Sequence, residues 1–105
     1  MRPLVPAAWL AACIAVPPCA VAQGADANLG RALAANCAPC HGTNGHSVGG
    51  MPGLAGRPRE ELVRTLEDFR EGRRPATVMQ QLARGYTDAQ IRALCEFLSR
   101  QPATP

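Results

Sequence analysis

The chain has 105 residues and a formal net charge of +3, and this length allows one small domain. One Trp, one Tyr and two Phe are too few for a self-sufficient core, so a cofactor or another internal support is expected. Every basic residue is an arginine, and the arginines form no stripe with interleaved aromatic side chains, which argues against a nucleic-acid-binding protein.

Residues 1–22 are predicted to be a secretory signal peptide. A short apolar run over 4–16 is followed by Ala20-Val21-Ala22, which fits the small-x-small rule for signal cleavage. The run is short and interrupted by prolines, so it is a poor candidate for a membrane span. No membrane span is expected in the mature chain, 23–105. A retained membrane anchor is the alternative. Export would place the mature protein in the periplasm.

A first helix is predicted after Asp26, which is a suitable N-cap residue. Its apolar positions recur at helical spacing from Leu29 through Leu33 to Cys40. Gly30 costs this helix about 1 kcal/mol relative to Ala. Such a glycine indicates either a close crossing by another helix or a weak helix start, and the pattern does not separate the two.

Cys37-Ala38-Pro39-Cys40-His41 is the pattern of covalent c-type haem attachment. Cysteines three residues apart lie on one face of a helix, so two thiols can bond the two haem vinyl groups while His41 binds the iron. One such motif predicts one haem c. A redox dithiol and half of a zinc site are the alternatives. The first usually accompanies a βαβ pattern, which is absent, and Cys95 and His46 stand at no recognisable zinc-ligand spacing.

Residues 42–56 are predicted to form a glycine-rich loop. Glycine lets a backbone pass close to a flat cofactor because it has no Cβ atom. His46 lies in this loop and is expected to be an exposed polar residue rather than a second iron ligand.

A thioether sulfur on the other side of the iron would raise its reduction potential and close its coordination shell. Met51 follows His41 by only ten residues and would need a tight wrap to reach that side. Met79 comes 38 residues after His41, beyond a helix that can carry the chain around the ring. This favours Met79 as the ligand and leaves Met51 as a core residue. Iron with both positions filled is suited to outer-sphere electron transfer rather than to chemistry on a substrate.

Three more helices are predicted. The second begins at Pro58 and is stopped by Gly72, and a short third helix runs from Pro75 to Gly85. The last helix begins with a capping box of Thr87 and Gln90 and a hydrophobic staple of Tyr86 with Ile91. Pro102 ends the fold, and the tail beyond it is expected to be loose. The predicted core positions of the second and last helices are Leu62, Val63, Leu66, Phe69, Ile91, Leu94, Cys95 and Leu98.

These features resemble the class I cytochromes c, an all-α fold of about four short helices wrapped around one covalently bound haem. The similarity covers residues 28–101. It implies that Pro52, in the segment Pro-Gly-Leu-Ala-Gly, accepts a hydrogen bond from the His41 imidazole through its carbonyl. It also implies that Gly30 on the first helix packs against Phe97 on the last. The segment Gly-Arg-Arg-Pro before Met79 is similar to the turn that precedes the distal methionine of related bacterial proteins.

Two segments, 43–49 and 79–87, are similar to the cytochrome subunit of flavocytochrome c sulfide dehydrogenase. This resemblance implies a chain that is not catalytic by itself, that accepts electrons from an FAD-containing flavoprotein subunit, and that passes them to other cytochromes. Some members carry two haems, whereas this sequence has one attachment motif, so a second haem domain is not expected. A free periplasmic electron carrier of the cytochrome c4 or c5 kind is the first alternative, and a haem-free dithiol or zinc module is the second.

Overall fold

The computed structural model describes residues 24–104, and within this range every regular element is helical. This confirms the all-α prediction, while the predicted signal peptide lies outside the described residues. Among the described helices, none has both the length and the apolar character needed to cross a membrane. The α-helices are α1 (Gly24–Ala34), α2 (Ala38–His41), α3 (Arg59–Arg70), α4 (Met79–Ala83) and α5 (Asp88–Ser99), and 3₁₀ turns cover Ala35–Cys37 and Thr43–Gly45.

Helix α1 packs directly on α5, and Gly30 is the point of closest approach. A Cβ atom at Gly30 would overlap the Ala93 carbonyl oxygen and would lie 3.1 Å from the Phe97 Cβ atom. A close helix crossing therefore explains this glycine. The start of α1 differs from the prediction, because the helix begins at Gly24 and includes Asp26 in its first turn. Aspartate suits the first turn of a helix as well as the cap, so residue type alone did not fix the boundary.

Helix α5 begins as its sequence predicts. The Thr87 side-chain oxygen accepts a hydrogen bond from the Gln90 backbone N–H at 3.2 Å, and the Gln90 side-chain oxygen accepts one from the Thr87 N–H at 2.9 Å. Tyr86 packs against the core that includes Ile91, as expected for a hydrophobic staple. The inner face of α5 is almost completely buried and forms the centre of the core, with Ile91, Leu94, Cys95 and Leu98 at most 2% exposed.

Helix α3 ends in a Schellman motif built on Gly72. This residue has a φ of +76°, which glycine adopts without strain. Its N–H donates to the Phe69 carbonyl at 3.2 Å, and the Arg73 N–H donates to the Asp68 carbonyl at 2.8 Å. The prediction that Gly72 stops the helix is therefore confirmed, and the turn sends the chain from α3 toward α4.

Side chains and ion pairs join α3 to α5. Leu62 and Val63 are buried in the common core, whereas Leu66 and Phe69 are half-buried. The ion pairs that bridge the two helices are Arg59–Glu96 at 3.1 Å and Arg70–Asp88 at 2.6 Å. Such partly exposed pairs contribute at most about 1 kcal/mol each, so burial of apolar side chains stabilises this contact more than charge does.

Helix α4 is shorter than predicted, because it begins at Met79 rather than at Pro75. Two β-branched residues, Thr77 and Val78, separate the proline from the helix, and both disfavour helical backbone. The Thr77 carbonyl accepts a hydrogen bond from the Gln80 side chain at 3.3 Å. A side chain therefore bonds this carbonyl outside the helix. The helix packs on α3.

Candidate haem-binding site

One turn of the chain carries both thiols and the imidazole. Cys37 ends the first 3₁₀ turn and caps α2, whereas Cys40 and His41 lie within α2. Pro39 is accommodated in the first turn, where a missing N–H leaves no hydrogen bond unmade. Cys40 is exposed, Cys37 is half-buried and His41 is 8% exposed. The local geometry thus presents one exposed and one half-buried cysteine beside a nearly buried imidazole.

The His41 ring is oriented by the glycine-rich loop. Its Nδ1 atom lies 2.7 Å from the Pro52 carbonyl oxygen. A carbonyl oxygen can only accept a hydrogen bond, so Nδ1 carries the proton and donates it. In the neutral imidazole this leaves Nε2 unprotonated, with a lone pair available for a metal. The donor set of this segment therefore fits a haem: two thiols for thioether bonds and one imidazole nitrogen for the iron.

The loop that carries Pro52 is closed by its own backbone. The Gly45 carbonyl accepts the N–H groups of Leu54 and Ala55 at 2.9 and 3.2 Å. Gly45 is itself buried, and a Cβ atom there would lie 3.1 Å from the Leu98 side chain of α5. These contacts hold the two ends of the loop together and place them against the core.

Met79 lies on a different element from His41, at the start of α4, and its side chain is half-buried. Leu82, which shares a helix face with Met79, is 53% exposed, and Val78, the residue before α4, is 52% exposed. A short helix with an uncovered apolar face is what an apolar cofactor would bury, so this face also fits a haem. Met51 is 41% exposed, so the expectation that it fills the core is wrong.

The two alternatives to a haem find less support. Burial raises the pKa of the Cys37 thiol, whereas redox dithiols have cysteines with a lowered pKa. A zinc site needs four ligands, but among the residues that the structure describes no three His, Cys, Asp or Glu side chains cluster as a metal site. No β-strand accompanies the motif between residues 24 and 104.

One polar contact near the site was not predicted from the sequence. The Nε2 atom of His46 lies 2.6 Å from the carbonyl oxygen of Pro102, 56 residues further along the chain. The tail beyond Pro102 is predicted to be loose, but Ala103 lies against the loop at Gly56. No spacing rule pairs residues so distant, so only the folded chain could bring them together.

A family model for cytochrome c matches residues 27–101 of this chain. The chain belongs to the cytochrome c family. Membership of this family implies a c-type haem and a function in electron transfer. Among the similar proteins is the cytochrome subunit of sulfide dehydrogenase from Chlorobaculum tepidum, 40% identical over 65% of this chain and 62% of that protein.

Other members of the cytochrome c family match more of this chain. A cytochrome c4 from Thiocapsa roseopersicina is 36% identical over 82% of this chain, which spans 45% of that protein. A cytochrome c-554(548) from Halomonas halodenitrificans is 30% identical over 72% of this chain and 96% of its own length. The chain thus spans less than two thirds of the length of several curated relatives that it matches, including the cytochrome subunit named above.

Proposed function

We propose that this chain is a periplasmic electron-transfer cytochrome that carries one covalently bound haem. Cys37 and Cys40 would hold the haem through thioether bonds, and His41 would bind the iron. The hydrogen bond from the His41 Nδ1 atom to the Pro52 carbonyl carries this proposal, because it leaves Nε2 as the metal-binding nitrogen. A bound haem supplies one-electron chemistry through the ferric and ferrous states of its iron.

We propose that Met79 would be the second protein ligand of the iron. It is the methionine on α4, and its neighbours Val78 and Leu82 present an exposed apolar face. Such a face would shield the iron from water, and a closed coordination shell suits electron transfer. The competing candidate, Met51, lies directly before Pro52, within the loop whose carbonyl already holds the His41 ring.

An absorption spectrum of the ferric protein tests both assignments. The wild-type protein should contain one haem per chain and show the weak near-infrared band of a sulfur–iron bond. We expect Met79→Ala to abolish this band and Met51→Ala, the matched control, to retain it. Loss of the band in Met51→Ala alone would overturn the ligand assignment, and a protein without a Soret band after expression with the haem-attachment machinery would overturn the function.

For the partner, we propose the FAD-containing flavoprotein subunit of a sulfide dehydrogenase. The 40% identity to the cytochrome subunit of that enzyme from Chlorobaculum tepidum supports this choice. The chain would not be catalytic by itself, and it would pass electrons on to other cytochromes. Export of the chain through a signal peptide at 1–22 is part of the proposal, with 23–105 as the mature cytochrome domain.

Mixing the purified cytochrome with the flavoprotein subunit tests this partnership. We expect a stable complex at micromolar concentration and reduction of the cytochrome when sulfide is added. The cytochrome without the flavoprotein, treated with the same sulfide concentration, is the control. A chain that stays monomeric beside the flavoprotein and is not reduced faster than the control would contradict the proposal.

A free soluble carrier of the cytochrome c4 or c5 kind is the second candidate. The identity to a cytochrome c4 extends over 82% of this chain, more than the 65% covered by the sulfide dehydrogenase subunit. This candidate predicts rapid reduction by several small redox proteins and no lasting complex with any of them. The same mixing experiment therefore separates the two.

A further inference from the structure

The C-terminal tail is joined to the glycine-rich loop by a hydrogen bond between a side chain and the backbone. The Nε2 atom of His46 lies 2.6 Å from the Pro102 carbonyl oxygen, so the imidazole N–H is the donor. His46 is half-buried, whereas Pro102 is exposed and the bond lies at the surface.

Further contacts seat the tail against the same loop. The Gly56 N–H donates to the Leu98 carbonyl at 3.0 Å, at the end of α5. A Cβ atom at Gly56 would lie 3.0 Å from the Gln101 carbonyl oxygen and 3.1 Å from the Ala103 Cα atom. Ala103 also lines a surface depression together with His46. The tail thus contacts both the first and the last part of the loop.

A short path of hydrogen bonds leads from His46 to the His41 ring. The residue after His46 is Ser47, whose hydroxyl donates to the Met51 carbonyl. The residue after Met51 is Pro52, whose carbonyl accepts from the His41 Nδ1 atom at 2.7 Å. A shift of the loop at His46 would therefore move the acceptor that orients His41.

We propose that His46 is a positioning residue for His41. By bonding to the Pro102 carbonyl it fixes loop 42–56 on the C-terminal tail, and so holds the Pro52 carbonyl in place. The part of this inference that concerns iron depends on the proposed function. The part that concerns the loop depends only on the contacts just described.

Two substitutions separate the hydrogen bond from simple filling of space. His46→Phe keeps a ring of similar size and loses the N–H donor, whereas His46→Gln loses the ring and keeps an N–H donor. Hydrogen exchange in the purified full chain is the first readout. We expect the amides of Leu54 and Ala55 to exchange about fivefold faster in His46→Phe, the factor that corresponds to one ordinary hydrogen bond.

The controls for this exchange experiment are built into the chain. The Glu71 amide, which bonds to the Glu67 carbonyl on α3, should exchange at the wild-type rate in every variant. His46→Gln should restore the protection of the loop amides. Loop amides that exchange in His46→Phe as in the wild type, or His46→Gln behaving like His46→Phe, would overturn the proposal.

The midpoint reduction potential is the second readout, and a merely structural role would not move it. A weaker His41–Pro52 hydrogen bond makes the imidazole a poorer donor, so we expect a higher potential in His46→Phe. A chain ending at Gln101 lacks the acceptor and also the Ala103 contact, so its shift should be at least as large. Adding His46→Phe to this shortened chain should change nothing further, because the bond is already absent; a double variant that shows the sum of the two shifts would contradict the inference.

Failure of the proposed function would be visible separately. A protein without a Soret band would contain no haem and would contradict the proposed function. The exchange rates of the Leu54 and Ala55 amides would still test the contact between His46 and the tail.

Discussion

The two sides of this small domain are stabilised in different ways. On one side, α1 and α3 both pack on α5, and the core residues of α5 are at most 2% exposed. By contrast, apolar side chains of the loop and of the α4 region lie open: Val48, Val78 and Leu82 are 84%, 52% and 53% exposed. The first side is a protein core in its own right, and the second is an apolar surface of the kind that a cofactor would cover.

This difference shows how a sequence poor in aromatic residues specifies a fold. Helices α1, α3 and α5 bring their own apolar faces together, whereas the loop and α4 are arranged by backbone hydrogen bonds and by one helix–helix contact. A haem attached at Cys37 and Cys40 would provide apolar area on the uncovered side. The cofactor would then be part of the core as well as the redox centre.

Preventing haem attachment is the strongest test of this difference between the two sides. The double variant Cys37→Ala with Cys40→Ala should lose the covalent haem and most of its free energy of unfolding, about 5 kcal/mol or more, because the uncovered side has no partner. Haem staining of a denaturing gel and circular dichroism measure the two effects. Cys95→Ala, which leaves the motif intact, should keep its haem, and a double variant that unfolds cooperatively with full helical signal would refute the comparison.

The packed side should be most sensitive at Gly30. A methyl group there would overlap the Ala93 carbonyl oxygen, and backbone atoms cannot move aside cheaply. We expect Gly30→Ala to lower the free energy of unfolding by about 2 kcal/mol, although alanine itself favours helix by about 1 kcal/mol. Urea unfolding of the haem-loaded protein is the measurement.

Gly50 provides the matched control for this substitution. A Cβ atom at Gly50 would meet nothing within 4 Å, so Gly50→Ala should change the free energy of unfolding by less than about 0.5 kcal/mol. Equal effects of the two substitutions would mean that α1 and α5 do not cross as closely as described.

Ionisation of the buried Cys95 thiol should lower the free energy of unfolding at alkaline pH. Burial, with smaller contributions from nearby charges, raises the pKa of Cys95 from 9.0 to about 12. The unfolded chain therefore loses this proton above pH 9 while the folded chain retains it, so the free energy of unfolding falls as pH rises from 9 to 12. The loss at pH 10 relative to pH 8 is between about 1 and 2 kcal/mol.

Urea unfolding at the two pH values in wild type and in Cys95→Ala measures this difference. The variant should be less stable at both pH values because it leaves a small cavity, but it should lack the pH-dependent part. A pH dependence of the same size in both proteins would assign the effect to other groups.

The smallest predicted effect concerns the start of α5. Thr87→Ala removes the side-chain acceptor of the Gln90 N–H and should cost about 1 kcal/mol in thermal or urea unfolding. Thr77→Ala is the control, because Thr77 bonds through its backbone carbonyl and not through its hydroxyl. Similar losses in the two variants would show that the capping box contributes little.

Features of the fold that depend on neighbouring residues could be predicted from the sequence. The capping box of α5, its buried face and the stop at Gly72 all follow from residues within about one turn of each other. The first residue of α4 could not be predicted in this way, since Pro75 is a good helix opener and only the local backbone shows that the helix begins at Met79. The same holds for α1, where Asp26 suits two positions equally.

The candidate site likewise combines features that depend on neighbouring residues with features that depend on distant ones. The motif from Cys37 to His41 is local and was recognised from spacing alone. The hydrogen bond from His41 to the Pro52 carbonyl was expected only through a family resemblance, since every residue has a main-chain carbonyl that can accept such a bond. The contact between His46 and Pro102 joins residues 56 positions apart, and nothing in either residue predicts the other.

The ion pairs on the surface, such as Arg59–Glu96 and Arg70–Asp88, all use guanidinium groups, and the chain contains no lysine. Amine-directed crosslinkers consequently have no side chain to attack. A lysine introduced at a single surface position would be the one reactive side-chain amine, so a series of such variants would map the footprint of a redox partner residue by residue.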